Sequence, residues 1–142
     1  MTEFNPPIQR YEDRWKDWLE EEPKLVQLRN ELLTHGGVEV VPNKEPDLEL
    51  ILQKGDIIKP IEILNYNMRD SQCHRNARAL YLDDASVTDV GTGWALSEDG
   101  LWRQHSWAMR GDELVETTQD RELYYGVILQ GEELEQFIKM NV

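Results

Sequence analysis

From Ser86 to Leu129 the chain reads as short strands broken by tight turns, and this pattern limits the fold more than any other stretch. Asp99-Gly100 and Gly111-Asp112 are hairpin signals, because glycine readily takes the positive φ that two-residue turns demand. Strands joined this way pair antiparallel. Taking each turn as two residues sets Trp94 opposite His105, Met109 opposite Leu114 and Trp107 opposite Glu116. Arg103, His105, Trp107 and Met109 then share one face, with Glu116 diagonal to His105 and within side-chain reach.

Upstream the pattern is helical. Asn5-Pro6-Pro7 reads as a capped helix opening, and Ile8, Tyr11, Trp15, Trp18 and Leu19 follow it at helical spacing as an apolar stripe that reads as core. Pro23 interrupts the stripe, Leu25, Leu28, Leu32 and Leu33 resume it, and His35-Gly36-Gly37 ends it. Residues 1–35 are thus an N-terminal helical segment. Val38 to Val41 reads as a short strand, Leu48 to Leu52 as helix or strand, and Ile57 to Leu64, with Pro60 inside it, as an extended edge. A new helix begins after Asp70 or Ser71, either of which is a suitable cap, and ends near Leu82 with Ala77, Leu80 and Tyr81 on its apolar side. Glu132 to Met140 reads as a closing helix. Arg110-Gly111-Asp112 spells an adhesion tripeptide, but as a hairpin turn it needs no other explanation. With 142 residues and no repeat or linker, the expectation is a single domain, 1–142, of α+β class. N-terminal helices and a cysteine-bearing helix would pack on an antiparallel sheet.

Charge narrows the partners. Against 15 Lys+Arg stand 28 Asp+Glu, a net charge of −13 that repels nucleic-acid phosphates and anionic lipid. The acidic surface favours a cationic or neutral substrate. No basic N-terminal region leads into an apolar run, and nothing approaches the roughly 20 apolar residues of a membrane span, so a cytoplasmic protein is expected. The only cysteine, Cys73, has no partner within the chain for a disulfide.

Cys73 falls in the first turn of the helix that follows Asp70. Unpaired N–H groups and the helix dipole favour a thiolate there. A nucleophilic cysteine also needs a base. His35 lies at a helix end, and His74, next to Cys73, points about 100° away around the helix. His105 is the better candidate, and Glu116 is placed to orient it. A carboxylate holding an imidazole whose other nitrogen faces a thiol is the logic of a Cys-His-acid triad.

A cysteine-led helix followed by a sheet that supplies histidine and then an orienting polar residue resembles the papain-like cysteine hydrolase superfamily, including its small NlpC/P60-type and transglutaminase-like branches. Gln72-Cys73-His74-Arg75-Asn76-Ala77, Gly93-Trp94-Ala95, His105-Ser106-Trp107 and Val115-Glu116-Thr117-Thr118 resemble, in order, blocks of small proteins of that superfamily. The similarity covers residues 70–129, which it implies are a papain-like core. It further implies Cys73 as nucleophile, His105 as general base and Glu116 as orienting residue, acting on a peptide-like or other amide or ester substrate through a thioester. Glutamate departs from the aspartate or asparagine of many relatives. Such peptidases place an oxyanion-stabilising glutamine before the cysteine, at a spacing that falls on Asn67.

The backbone N–H of Cys73 is a natural oxyanion donor, and the Asn67, Gln72 and Asn76 amides lie close in sequence. Asn76 has the alternative role of tying the helix to a neighbouring loop. Trp94 and Trp107 are candidates to line a substrate cleft and shield the thiolate, with core filling as their plainer role. A zinc site drawing on Cys73, His74, His105 and Glu116 lacks the short paired spacings of structural zinc, so neither metal nor organic cofactor is expected. A reading of another class is a non-catalytic acidic interaction or immunity-type domain. Eight acidic residues against one arginine between Asp112 and Glu135 support it.

Overall fold

The computed structural model describes residues 6–142. Pro23 divides the helical segment: α1 (Pro6–Glu21) stops short of it, and α2 (Pro23–Thr34) carries it at its first position, where a missing N–H costs nothing. Asn5, the expected cap of α1, lies outside the described residues. Trp15 and Trp18 are buried edge-to-face at 5.4 Å, and Leu25, Leu28 and Leu32 continue the core side. Leu19 departs from the predicted stripe. It is 62% exposed, since the buried face centres on the two tryptophans and leaves Leu19 at its margin.

The remaining elements are β1 (Glu39–Val40), α3 (Leu48–Lys54), β2 (Asp56–Ile57), β3 (Glu62–Asn65), α4 (Cys73–Asp83), β4 (Asp89–Leu96), β5 (Leu101–Arg110), β6 (Glu113–Glu116), β7 (Leu123–Leu129) and α5 (Glu132–Met140). Among the described residues the protein is therefore α+β, with five helices and a seven-stranded sheet. The strand order is β2-β7-β4-β5-β6-β3, with β1 beside β5. Only β1 with β5 and β3 with β6 run parallel.

The two hairpins differ from each other. Gly111-Asp112 forms the expected two-residue turn, so Arg110 pairs with Glu113 and Met109 with Leu114. Gly100, with φ of +85°, instead closes a three-residue loop in which Ser97 N–H bonds to Leu101 O and Gly100 N–H to Ser97 O. That extra residue corrects the predicted pairing: His105 lies opposite Gly93, and Trp94 opposite Gln104. One step of register reverses a strand's faces, so Trp94 joins the face away from His105.

Helices cover that second face, where Trp94, Trp102 and Tyr125 pack with Trp15, Leu32, Ile51 and Phe137. On the His105 face, Trp107, Met109, Leu114 and Tyr124 form a smaller core closed by Ile58. Gly91 makes room for Trp107, since a Cβ there would lie 2.1 Å from the indole nitrogen. The sheet also curls around this face. Tyr124 on β7 donates to Glu116 on β6 over 2.6 Å, although β4 and β5 lie between and a flat sheet would hold these strands ~14 Å apart. Residues 56–65 consequently bridge the two sides, β2 pairing with β7 and β3 with β6.

Candidate active site

The outer edge of β5 is covered in two places. β1 pairs beside Leu101 and Trp102, and β6 beside Ala108 to Arg110. Between them, Arg103 to Trp107 have no paired strand on that side among the described residues, and the start of α4 approaches this gap. His74 Nδ1 meets Ser106 Oγ at 2.5 Å, Ser106 Oγ meets Thr92 Oγ1 at 2.9 Å, and Asn76 Nδ2 donates to Arg69 O at 2.8 Å. These contacts fix the first turn of α4 against β5. Cys73 thereby comes within interaction range of the His105 imidazole and the Ser106 backbone N–H.

Among the described residues no side chain caps the start of α4. Gln72 is its N-cap, which corrects the expectation of Asp70 or Ser71; Ser71 has a left-handed φ of +60° rather than the extended backbone of a cap. The N–H groups of Cys73, His74 and Arg75 have no acceptor within the helix, so its positive end stays available to a thiolate.

His105 and Glu116 meet as the turn at Gly111-Asp112 requires. His105 Nε2 donates to Glu116 Oε1 over 2.8 Å, and both side chains are almost wholly buried. With Nε2 committed, Nδ1 is the nitrogen left for the thiol. Glu116 is saturated with donors: Tyr124 Oη shares Oε1, while the N–H groups of Thr117 and Thr118, both at 3.0 Å, and Thr118 Oγ1 at 3.1 Å serve Oε2.

The electrostatics follow from these contacts. Burial works to raise the Glu116 carboxyl, but His105, Tyr124 and the Thr118 N–H outweigh it and hold the pKa at about 2. Burial likewise opposes charge on His105, yet its bonds to Cys73 and Glu116 prevail and raise its pKa. For Cys73, burial pushes the thiol up, while His105 and the Ser106 N–H pull it below its usual value. Both shifts move the pair toward thiolate and imidazolium. His74 behaves in the opposite way: burial, and then the charge of His105, lower it to about 4, so it is neutral at pH 7.

Cys73 and His105 open into a cleft of about 620 Å³, bordered also by Asn43, Gln104, Thr118 and Arg121. Several predicted residues are not there. Asn67 is exposed and does not line the cleft, and Gln72 lines a separate depression with Met68 and Arg75, so neither is placed as an oxyanion donor. Asn76 is buried and ties α4 to the preceding loop. Trp94 and Trp107 are fully buried and line no part of the cleft. Register carries Trp94 to the helix-covered face, and Trp107 instead packs with its ring 6.2 Å from His105, which walls the imidazole from solvent. Among the described residues no three His, Cys, Asp or Glu side chains are grouped to share a metal ion.

Sequence reasoning missed Tyr124, Ser106 and Arg121. Tyr124 reaches Glu116 only because the sheet curls, which no local pattern encodes. Ser106 had a weak signal, since strand alternation turns it toward the helices. Comparison with known proteins finds no matching family model, no matching curated protein and no matching solved structure. No helix among the described residues is long and apolar enough to cross a membrane.

Proposed function

We propose that the protein is a papain-like cysteine hydrolase or acyltransferase acting on an amide or ester through a thioester. The observation that carries this reading is the His105–Glu116 bond of 2.8 Å, with the imidazole facing Cys73 at an uncapped helix start. The Cys73 thiolate attacks the carbonyl carbon, and negative charge moves onto the carbonyl oxygen. In this reading the Cys73 backbone N–H, unpaired in the first turn of α4, receives it. Collapse of the tetrahedral species breaks the bond to nitrogen or oxygen, and imidazolium His105 gives that leaving group its proton. His105, now neutral, takes a proton from water or an acceptor nucleophile, which attacks the thioester and restores the thiolate. Glu116 keeps the ring oriented and supports its positive charge.

A non-catalytic interaction domain needs no buried carboxylate satisfied by a histidine, a tyrosine and three threonine donors. The test is alkylation of Cys73 by iodoacetamide across pH, in this protein and in His105→Ala. Reaction should persist well below the roughly 8.5 pKa of a free thiol and slow sharply in the variant. A p-nitrophenyl ester should also leave an acyl group on Cys73, visible by mass spectrometry. Equal alkylation rates in the two proteins would restore the interaction-domain reading.

A further inference from the structure

We propose that Arg121 anchors a carboxylate of the substrate, which makes the cleft selective for anionic amides or esters; this rests on the cysteine-hydrolase reading above. Arg121 borders the same cleft as Cys73 and His105. Among the described residues its guanidinium makes two bonds, both to neutral oxygens: Nη1 to Ser97 Oγ at 2.7 Å and Nη2 to Thr118 Oγ1 at 3.3 Å. Guanidinium has five N–H donors, so three remain, and the Nε–H among them is buried without a partner.

The contrast with its neighbour decides the matter. Arg103 borders the same cleft, but both of its terminal nitrogens clamp Asp99, at 3.2 and 2.9 Å. Arg121 has no carboxylate within salt-bridge distance among the described residues, in a chain with 28 Asp+Glu and 15 Lys+Arg. A half-buried cation held by hydroxyls alone has lost hydration without gaining a counter-charge. A ligand carboxylate supplies that charge, and it matches the planar fork of arginine. At about 620 Å³ the cleft falls in the range of small-molecule sites, so one compact acyl compound can touch Arg121 and Cys73 together. Whole-chain charge points to cationic or neutral substrates, and the carboxylates of Glu98 and Asp99 border the cleft too, so Arg121 sets a local preference against that background. Bulk charge is screened beyond about 10 Å, whereas the guanidinium acts at contact.

Iodoacetate and iodoacetamide differ by one carboxylate and label the same thiol. The ratio of their rates at Cys73 should favour iodoacetate relative to a free-thiol peptide, fall about fivefold or more in Arg121→Gln, and recover in Arg121→Lys. A ratio unmoved by Arg121→Gln overturns the inference. So does an equal fall in both rates, which would make Arg121 a positioning residue acting through Thr118 on Glu116. Slow labelling by both reagents, indifferent to His105→Ala, overturns the hydrolase reading and this inference with it. If Arg121→Gln fails to fold, protection of the unaltered protein decides. N-acetylglycine, with a chain-terminal carboxylate, or N-acetylaspartic acid α-amide, with a side-chain one, should slow iodoacetamide labelling where N-acetylglycinamide does not, and the more protective acid identifies the carboxylate source. Equal protection by all three, or by none, overturns the proposal.

Discussion

Strand β5 has an imidazole against each of its faces, His105 buried and His74 half-buried, and their pKa values are shifted in opposite directions. His105 projects from one face onto Glu116, while His74 of α4 meets the other through Ser106. Burial opposes charge in both. Only His105 has a carboxylate and a thiol as partners, and these raise its pKa above the ordinary value. His74 has only a hydroxyl pair, Ser106 and Thr92, and it also feels the His105 charge. The partner decides which way the pKa of such a histidine moves. His74 serves as a pin between α4 and β5, and His105 serves as the thiol's partner.

Removing the carboxylate should break this contrast most severely. Glu116→Ala leaves the buried His105 ring and the Tyr124 hydroxyl without their acceptor, and should cost about 3–5 kcal/mol in urea unfolding at pH 7. The unaltered protein carries the same contribution as a pH dependence. Glu116 has its pKa lowered from 4.5 to about 2, so its stabilisation is complete above about pH 4.5 and is lost as pH falls toward 2. Glu116→Gln should flatten that window, and an unchanged acid limb would show that the carboxylate is not ionised in the fold.

His74 should govern a different window. Its pKa is lowered from 6.5 to about 4, so the neutral form stabilises the fold fully above about pH 6.5. That contribution, up to about 3 kcal/mol, is lost as pH falls toward 4. Urea midpoints of His74→Gln measured between these values should vary less with pH than those of the unaltered protein. A variant with the same slope would remove His74 as the titrating group.

Reactivity should separate the two rings again. His105→Ala should slow iodoacetamide labelling of Cys73 about a hundredfold near neutral pH, whereas His74→Gln should change it only a few-fold. Similar losses in both variants would mean that the thiol depends on how α4 is docked and not on a base. Tyr124→Phe sharpens the comparison with the smallest effect. It deletes one donor to Glu116 Oε1, and should lower stability by about 1.5 kcal/mol while moving the acid limb slightly upward in pH.

Much of the architecture was legible in local chemistry. Pro23 marks a helix boundary because it lacks an N–H, and Gly111-Asp112 sets the register of β5 on β6 because few backbones close a two-residue turn. The meeting of His105 with Glu116 follows from that register alone. Asp99-Gly100 was misread by one residue, since glycine suits a three-residue loop as well as a two-residue one, and Trp94 changed faces as a result. What the sequence could not determine is which elements meet. Cys73 reaches His105 because β1 and β6 leave a gap along β5 and the His74–Ser106 contact docks α4 there. Tyr124 reaches Glu116 because the sheet curls. Turn and cap preferences act over a few residues and are written in them, whereas the docking of a helix and the curl of a sheet depend on how all the buried side chains pack at once, so only the tertiary structure fixes them.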